Sequence, residues 1–127
     1  MSQHATLSLE RWREFGASEQ VLMIANEMHR ASRLLGPDDS DSRRNAYERV
    51  LRLADLTIQA QERPGLRREL LLWRGLVAEL YTASEPRPGS HLAALNALLL
   101  LDPVAARQRP YVLPRAAAVW ADLGVED

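Results

Sequence analysis

"LRRELLLWRGLVAEL", from Leu66 to Leu80, places Leu66, Leu70, Trp73, Val77 and Leu80 at alternating steps of four and three. That spacing holds one apolar stripe of a helix against its neighbours in a bundle. Arg67, Arg68, Glu69, Arg74 and Glu79 fall between the stripe positions. Pro64 suits the first turn of such a helix, where its missing N–H costs nothing. Gly75 sits mid-helix, at about 1 kcal/mol relative to alanine. It predicts a close approach of another helix at that point.

Working upstream, "NAYERVLRLADLT", from Asn45 to Thr57, repeats the pattern. Ala46, Tyr47, Val50, Leu53, Ala54, Thr57 and Ile58 form one stripe. "DDSDS" before it supplies a cap at Ser40 or Asp41. Before that, Val21, Ile24, Ala25, Met28, Ala31 and Leu35 mark another helix, capped by Ser18 and stopped by Gly36-Pro37. Ser8 to Phe15 reads as a short helix with Leu9 and Trp12 on one side.

Downstream, "SEPRPGS" is a loop, with Ser90 able to cap the next helix. Asp102-Pro103 is a fresh cap for a further turn. "RPYVLP" reads as extended, because Pro110 and Pro114 bracket it. Pro114 then starts a last helix that Gly124 stops. Helices are thus predicted over 8–15, 18–35, 41–61, 65–82, 90–107 and 114–123. No segment shows the period-two alternation of a strand. The fold class is all-α: one domain over 1–127, an up-and-down four-helix bundle with short extra helices at its N- and C-terminal ends.

The absence of cysteine removes disulfides and thiol chemistry. The start "MSQHATLSLERW" lacks the basic-then-apolar pattern of a signal peptide, and the longest apolar run, "LNALLLL", is too short to span a bilayer. A cytoplasmic location without membrane contact is the expectation. Net charge is −1, unlike a protein that blankets nucleic acid. The charge is nevertheless uneven: −3 over 1–42, +4 over 43–74 and −2 from 75 onward. Every basic residue is arginine. This reflects either GC-rich coding or selection for two-pronged contacts to phosphate and carboxylate.

Polar residues on the two long helices have two readings. Glu48, Arg52, Asp55 and Gln59 line one flank and can pair along it, Glu48 with Arg52 and Arg52 with Asp55. Thr57 can bond back one turn. Alternatively Asn26, Glu27, Arg30, Glu48, Arg52, Asp55 and Thr57 form a network between helices, in which a Glu27–arginine pair fixes register. Arg43, Arg44, Arg63, Arg67, Arg68 and Arg74 are candidates for a surface that binds a partner or nucleic acid; Glu62 and Glu69 offer ordinary surface pairing instead. Trp12 and Trp120 lie in short terminal segments. They either cap the bundle or contact another subunit.

Chemistry finds little support. Bundles that bind two irons use Glu-x-x-His, which does not occur, so Glu27, Glu48 and Asp55 are not expected to hold a metal. No cofactor motif occurs either. His29 reads as solvated and His91 as a first-turn residue. A small four-helix nuclease would need Arg87 and His91 in a cleft, and "RPGSH" is one residue short of its spacing. No catalytic residue is assigned.

"W-x(6)-EQVLMIANEMHRA", from Trp12 to Ala31, and "RNAYERVLRLADLTI", from Arg44 to Ile58, resemble a family of small uncharacterised prokaryotic helical proteins. "RRELLLWRGLVAELY" extends the likeness to Tyr81. The motif positions are Trp12, Glu19, Gln20, Asn26, Glu27, Arg30, Arg44, Glu48, Arg49, Asp55 and Thr57. The resemblance implies a helical bundle and carries no activity. Size and helix count also resemble the four-helix accessory proteins of diversity-generating retroelements, which are oligomeric and bind polymerase and nucleic acid. The functional expectation is a non-enzymatic interaction or scaffold protein, a homo-oligomer or the subunit of a protein partner. Spare apolar residues at Leu98 to Leu101, Val119 and Trp120 suggest self-association. The alternative is a nucleic-acid-associated accessory subunit.

Overall fold

A computed structural model describes residues 7–123 and is all-α, with no strand among them. Its helices are α1 (Leu9–Trp12), α2 (Ala17–Ser32), α3 (Ser40–Ala60), α4 (Pro64–Thr82), α5 (Pro88–Leu99), α6 (Pro103–Ala106) and α7 (Arg109–Leu123). Helices α2 to α5 close a ring: α2 packs on α3, α3 on α4, α4 on α5, and α5 back on α2. Short connections make successive members antiparallel. Helix α1 lies on α3, and α7 lies against α2 and α5. His4 and the Gly124 stop lie outside the described residues.

The predicted stripes become the core. Val21, Ile24 and Met28 from α2 meet Tyr47, Val50 and Leu53 from α3, Trp73, Val77 and Leu80 from α4, and Leu95, Leu98 and Leu99 from α5. Each tryptophan adds a polar staple. Trp12 Nε1 donates to Thr57 Oγ1 at 2.9 Å, Trp73 Nε1 to the Ala94 carbonyl at 2.8 Å, and Trp120 Nε1 to the Ser32 carbonyl at 3.0 Å. A buried indole thus fixes α1 to α3, α4 to α5 and α7 to the end of α2, with its N–H satisfied. Arg109 Nε donates to Asn96 Oδ1 at 2.7 Å and sets the start of α7 on α5.

Several boundaries differ from the expectations. Gly16, not Ser18, is the N-cap of α2. Asp39 caps α3 without a side-chain bond. Helix α5 begins at Pro88 rather than Ser90, so proline takes the first turn. Asp102-Pro103 does divide 90–107 into two helices as expected: the Leu101 and Asp102 N–H groups bond back only three residues and tighten the chain. Asp102 Oδ2 then accepts from the Val104 and Ala105 N–H groups, both at 3.0 Å, and starts α6.

The largest correction is α7. It runs through Pro110 and Pro114 as a fifteen-residue helix, not an extended strap followed by a short helix. Pro110 occupies the first turn, where no donor is needed. Pro114 faces solvent, so the Pro110 carbonyl that it leaves without a helical donor can be hydrated. An interior proline costs about 3 kcal/mol. Burying Ala116 and Trp120, with Val112 and Leu113 packed on the core, offsets that at roughly 1.5–3 kcal/mol per large apolar side chain.

Gly75 also departs from expectation. No helix crosses closely there, and a Cβ at that position would meet nothing. Gly75→Ala is therefore expected to stabilise the protein by about 0.5–1 kcal/mol, seen as a higher urea midpoint at unchanged slope.

Candidate functional site

The polar residues of α2 and α3 serve mainly to lock helices together. Glu27 is only 3% exposed. Its Oε1 accepts from Arg30 at 2.9 Å and its Oε2 from Arg49 of α3 at 3.1 Å. Removing Glu27 would leave the half-buried Arg49 guanidinium without that partner, which is costly. Thr57 donates to the Leu53 carbonyl at 2.8 Å while accepting from Trp12. Gln20 Nε2 donates to the Trp12 and Phe15 carbonyls and ties α1 to α2.

The remaining members of the expected network face elsewhere. Glu48 accepts from the Tyr81 hydroxyl at 2.7 Å. Asp55 receives a two-pronged contact from Arg74. Arg52 reaches the Leu7 carbonyl at 3.5 Å. Asn26 is exposed on α2. Glu27, Glu48 and Asp55 therefore do not share a site.

His91 lies in the first turn of α5, as the sequence reading has it, with its ring turned inward. His91 is fully buried. Its Nε2 donates to the Met28 carbonyl and its Nδ1 accepts from the Tyr47 hydroxyl, both at 2.8 Å. The assignment follows because a carbonyl can only accept. Desolvation lowers the pKa of His91 to about 4. Arg87 has no accessible imidazole to work with at His91. The periodic positions His91, Ala94, Leu95 and Leu98 are the signal that could have placed this ring inside. His29 is half-buried rather than solvated, and burial together with Arg33 and Arg115 lowers its pKa.

The arginines do not form one face. Arg43 is 5% exposed and donates to the Leu34, Gly36 and Ser84 carbonyls at 3.1–3.2 Å. It clamps the α2–α3 turn to the end of α4, and its stripe spacing with Ala46, Tyr47 and Val50 points inward. Arg44 lies over the Tyr81 ring at 5.4 Å. Arg67 donates to the Ile58 carbonyl at 3.0 Å. Arg63, Arg67 and Arg68 gather at the α3–α4 turn, roughly 25 Å along α3 from Arg43. Trp12 and Trp120 are likewise internal, at 0% and 7% exposure. Their indoles are spent on staples within the chain, so they cap the bundle and offer nothing to a second subunit.

Exposed apolar side chains gather on one side of α4 and α5. Leu72 is 65% exposed, Leu76 45% and Leu100 53%. With Leu66, Ala97 and Leu101 they line an open groove of 760 Å³ between α4 and α5, with Trp73 at its base. An adjoining hollow of 470 Å³ shares Leu76 and extends past Ala93 and Ala94. Glu79, Glu85 and Arg87 border it. Of the spare apolar residues expected from sequence, Leu98, Leu99 and Trp120 are core, and Leu100 is the exposed one. Leu72 and Leu76 fall between the seam positions Leu70, Trp73 and Val77, and their exposure follows from what α5 leaves uncovered. Among the described residues no helix is long and apolar enough to cross a membrane. Comparison of the chain with protein-family models, with curated proteins and with solved structures finds no match.

Proposed function

We propose that this chain is a non-enzymatic helical-bundle interaction protein that self-associates through the α4–α5 groove. The observation that carries the reading is the row of exposed leucines at 72, 76 and 100 beside the small side chains Ala93 and Ala97. Projecting leucines next to a shallow alanine floor give each copy both a knob and a hole. A two-fold contact needs that self-complementarity. Contiguous exposed apolar surface on a small protein marks an interaction site.

Burying one leucine fully gains about 1.5–3 kcal/mol, or at least tenfold in affinity. Light scattering on the intact protein is expected to show a dimer at micromolar concentration. Leu72→Glu with Leu100→Glu is expected to give a folded monomer. A wild-type monomer at high micromolar concentration overturns the proposal. Short RNA is the control: a mass increase that vanishes at high salt would instead assign the working surface to Arg63, Arg67 and Arg68.

A further inference from the structure

A second cleft, of 630 Å³, lies between α2 and α7, away from the α4–α5 groove. Asn26, His29 and Arg33 reach it from α2 and the residue following it; Gln108 and Arg115 reach it from the start of α7 and from α7 itself. The spacing explains the convergence: 26, 29 and 33 share one flank, as do 108, 112, 115 and 119. Leu22, Val112 and Val119 supply an apolar wall.

No carboxylate is among the cleft's described lining residues. Arg43, Arg49, Arg67, Arg74 and Arg109 all spend their guanidinium groups on oxygen atoms of the fold. The side chains of Arg33 and Arg115 have no such partner among the described residues. His29 Nε2 is buried and has no hydrogen-bond partner. Both arginines lie near enough to this ring for their charges to disfavour its protonation. Two like charges and an unsatisfied imidazole nitrogen, with no carboxylate among the described lining residues, form a site complementary to an anion. The apolar wall makes it complementary to an anion with a hydrocarbon part.

We propose that the α2–α7 cleft binds a small aliphatic carboxylic acid, its carboxylate held between Arg33 and Arg115 and its chain laid on Leu22, Val112 and Val119. Asn26 and Gln108 supply neutral hydrogen bonds at the rim. A bound carboxylate offsets part of the arginine charge at His29, so the ring's pKa rises when the ligand binds. The groups facing His29 are Arg33 after α2 and Arg115 on α7; His91 of α5, neutral in the fold, lies behind it. Affinity therefore rises as pH falls toward the ordinary histidine range.

The test is calorimetric titration of the intact protein with hexanoate, with hexanol and inorganic phosphate as comparison probes, followed by the ring resonances of His29. Hexanoate is expected to saturate, to move the His29 signals and to raise that ring's pKa. Arg33→Gln and Arg115→Gln are each expected to weaken hexanoate about tenfold or more. Both side chains are exposed, so neither change should lower the unfolding midpoint. Binding of hexanol as tight as hexanoate overturns the proposal, as does hexanoate binding that survives loss of both arginines. Phosphate binding as tight as hexanoate overturns the assignment to an organic acid. None of these outcomes depends on the α4–α5 groove, which dimerisation tests separately.

Discussion

Trp12→Ala is expected to destabilise the fold by about 3–5 kcal/mol, the usual range for removing a large buried aromatic. A domain of this size has roughly 5–15 kcal/mol in total. The reason is that Trp12 is wholly buried although α1 is only one turn long. A single turn has almost no stability of its own, because nucleation costs more than its few bonds return. What holds α1 is the indole: its N–H on Thr57, its ring edge-on to Phe15 at 5.7 Å, and its carbonyl accepting from Gln20. Alanine keeps the carbonyl contact and loses the rest. Trp12→Phe separates the contributions. It retains most of the packing and leaves Thr57 still donating to Leu53, so its cost should be about 1–2 kcal/mol. Urea unfolding measures both. A Trp12→Ala cost below about 1 kcal/mol would mean that α1 does not dock on α3.

The bundle was legible because burial and periodicity agree along α2, α3 and α4. Leu70, Trp73 and Val77 fall where a regular stripe requires them, and all are buried. Helix α7 was not legible, since Pro110 and Pro114 carry strong local preferences while the gain from docking Ala116 and Trp120 is long-range. A preference against helix at two residues is outweighed only once α2 and α5 exist as a surface to dock on. Side-chain roles failed in the same way. Glu27 facing an arginine follows from its place beside the seam, but spacing alone cannot choose Arg49 over Arg43, Arg44 or Arg52. Arg43 reads as surface by residue type and is inside by position. The exposed leucines of α4 and the arginine-lined cleft at His29 both depend on what neighbouring helices leave uncovered, and that is a property of packing rather than of any one segment.

Acid should weaken this protein well before its carboxylates titrate, and His91 sets the range. In the unfolded chain His91 has a pKa of 6.5; in the fold, burial lowers it to about 4. Above pH 6.5 the ring is neutral in both states and contributes no dependence on pH. Below it, the unfolded chain binds a proton that the fold refuses, so stability falls as pH falls from about 6.5 toward 4. Each pH unit across that range costs about 1.4 kcal/mol, for a total of about 3 kcal/mol. His29, whose pKa is also lowered, adds to the loss with the same sign. The refusal has a structural cause. Nδ1 must stay unprotonated to accept from Tyr47 while Nε2 donates to Met28, and burial holds the Tyr47 phenol protonated as the donor. A proton on Nδ1 would force the Tyr47 hydroxyl to turn from donor to acceptor and would place a charge in the core. Urea unfolding of the wild type at pH 7.5, 6 and 5 should show this slope. His91→Gln offers a donor and an acceptor without titrating, so its slope should flatten to the residual due to His29. An equal slope in the variant would mean that His91 is already protonated, or solvated, in the folded protein.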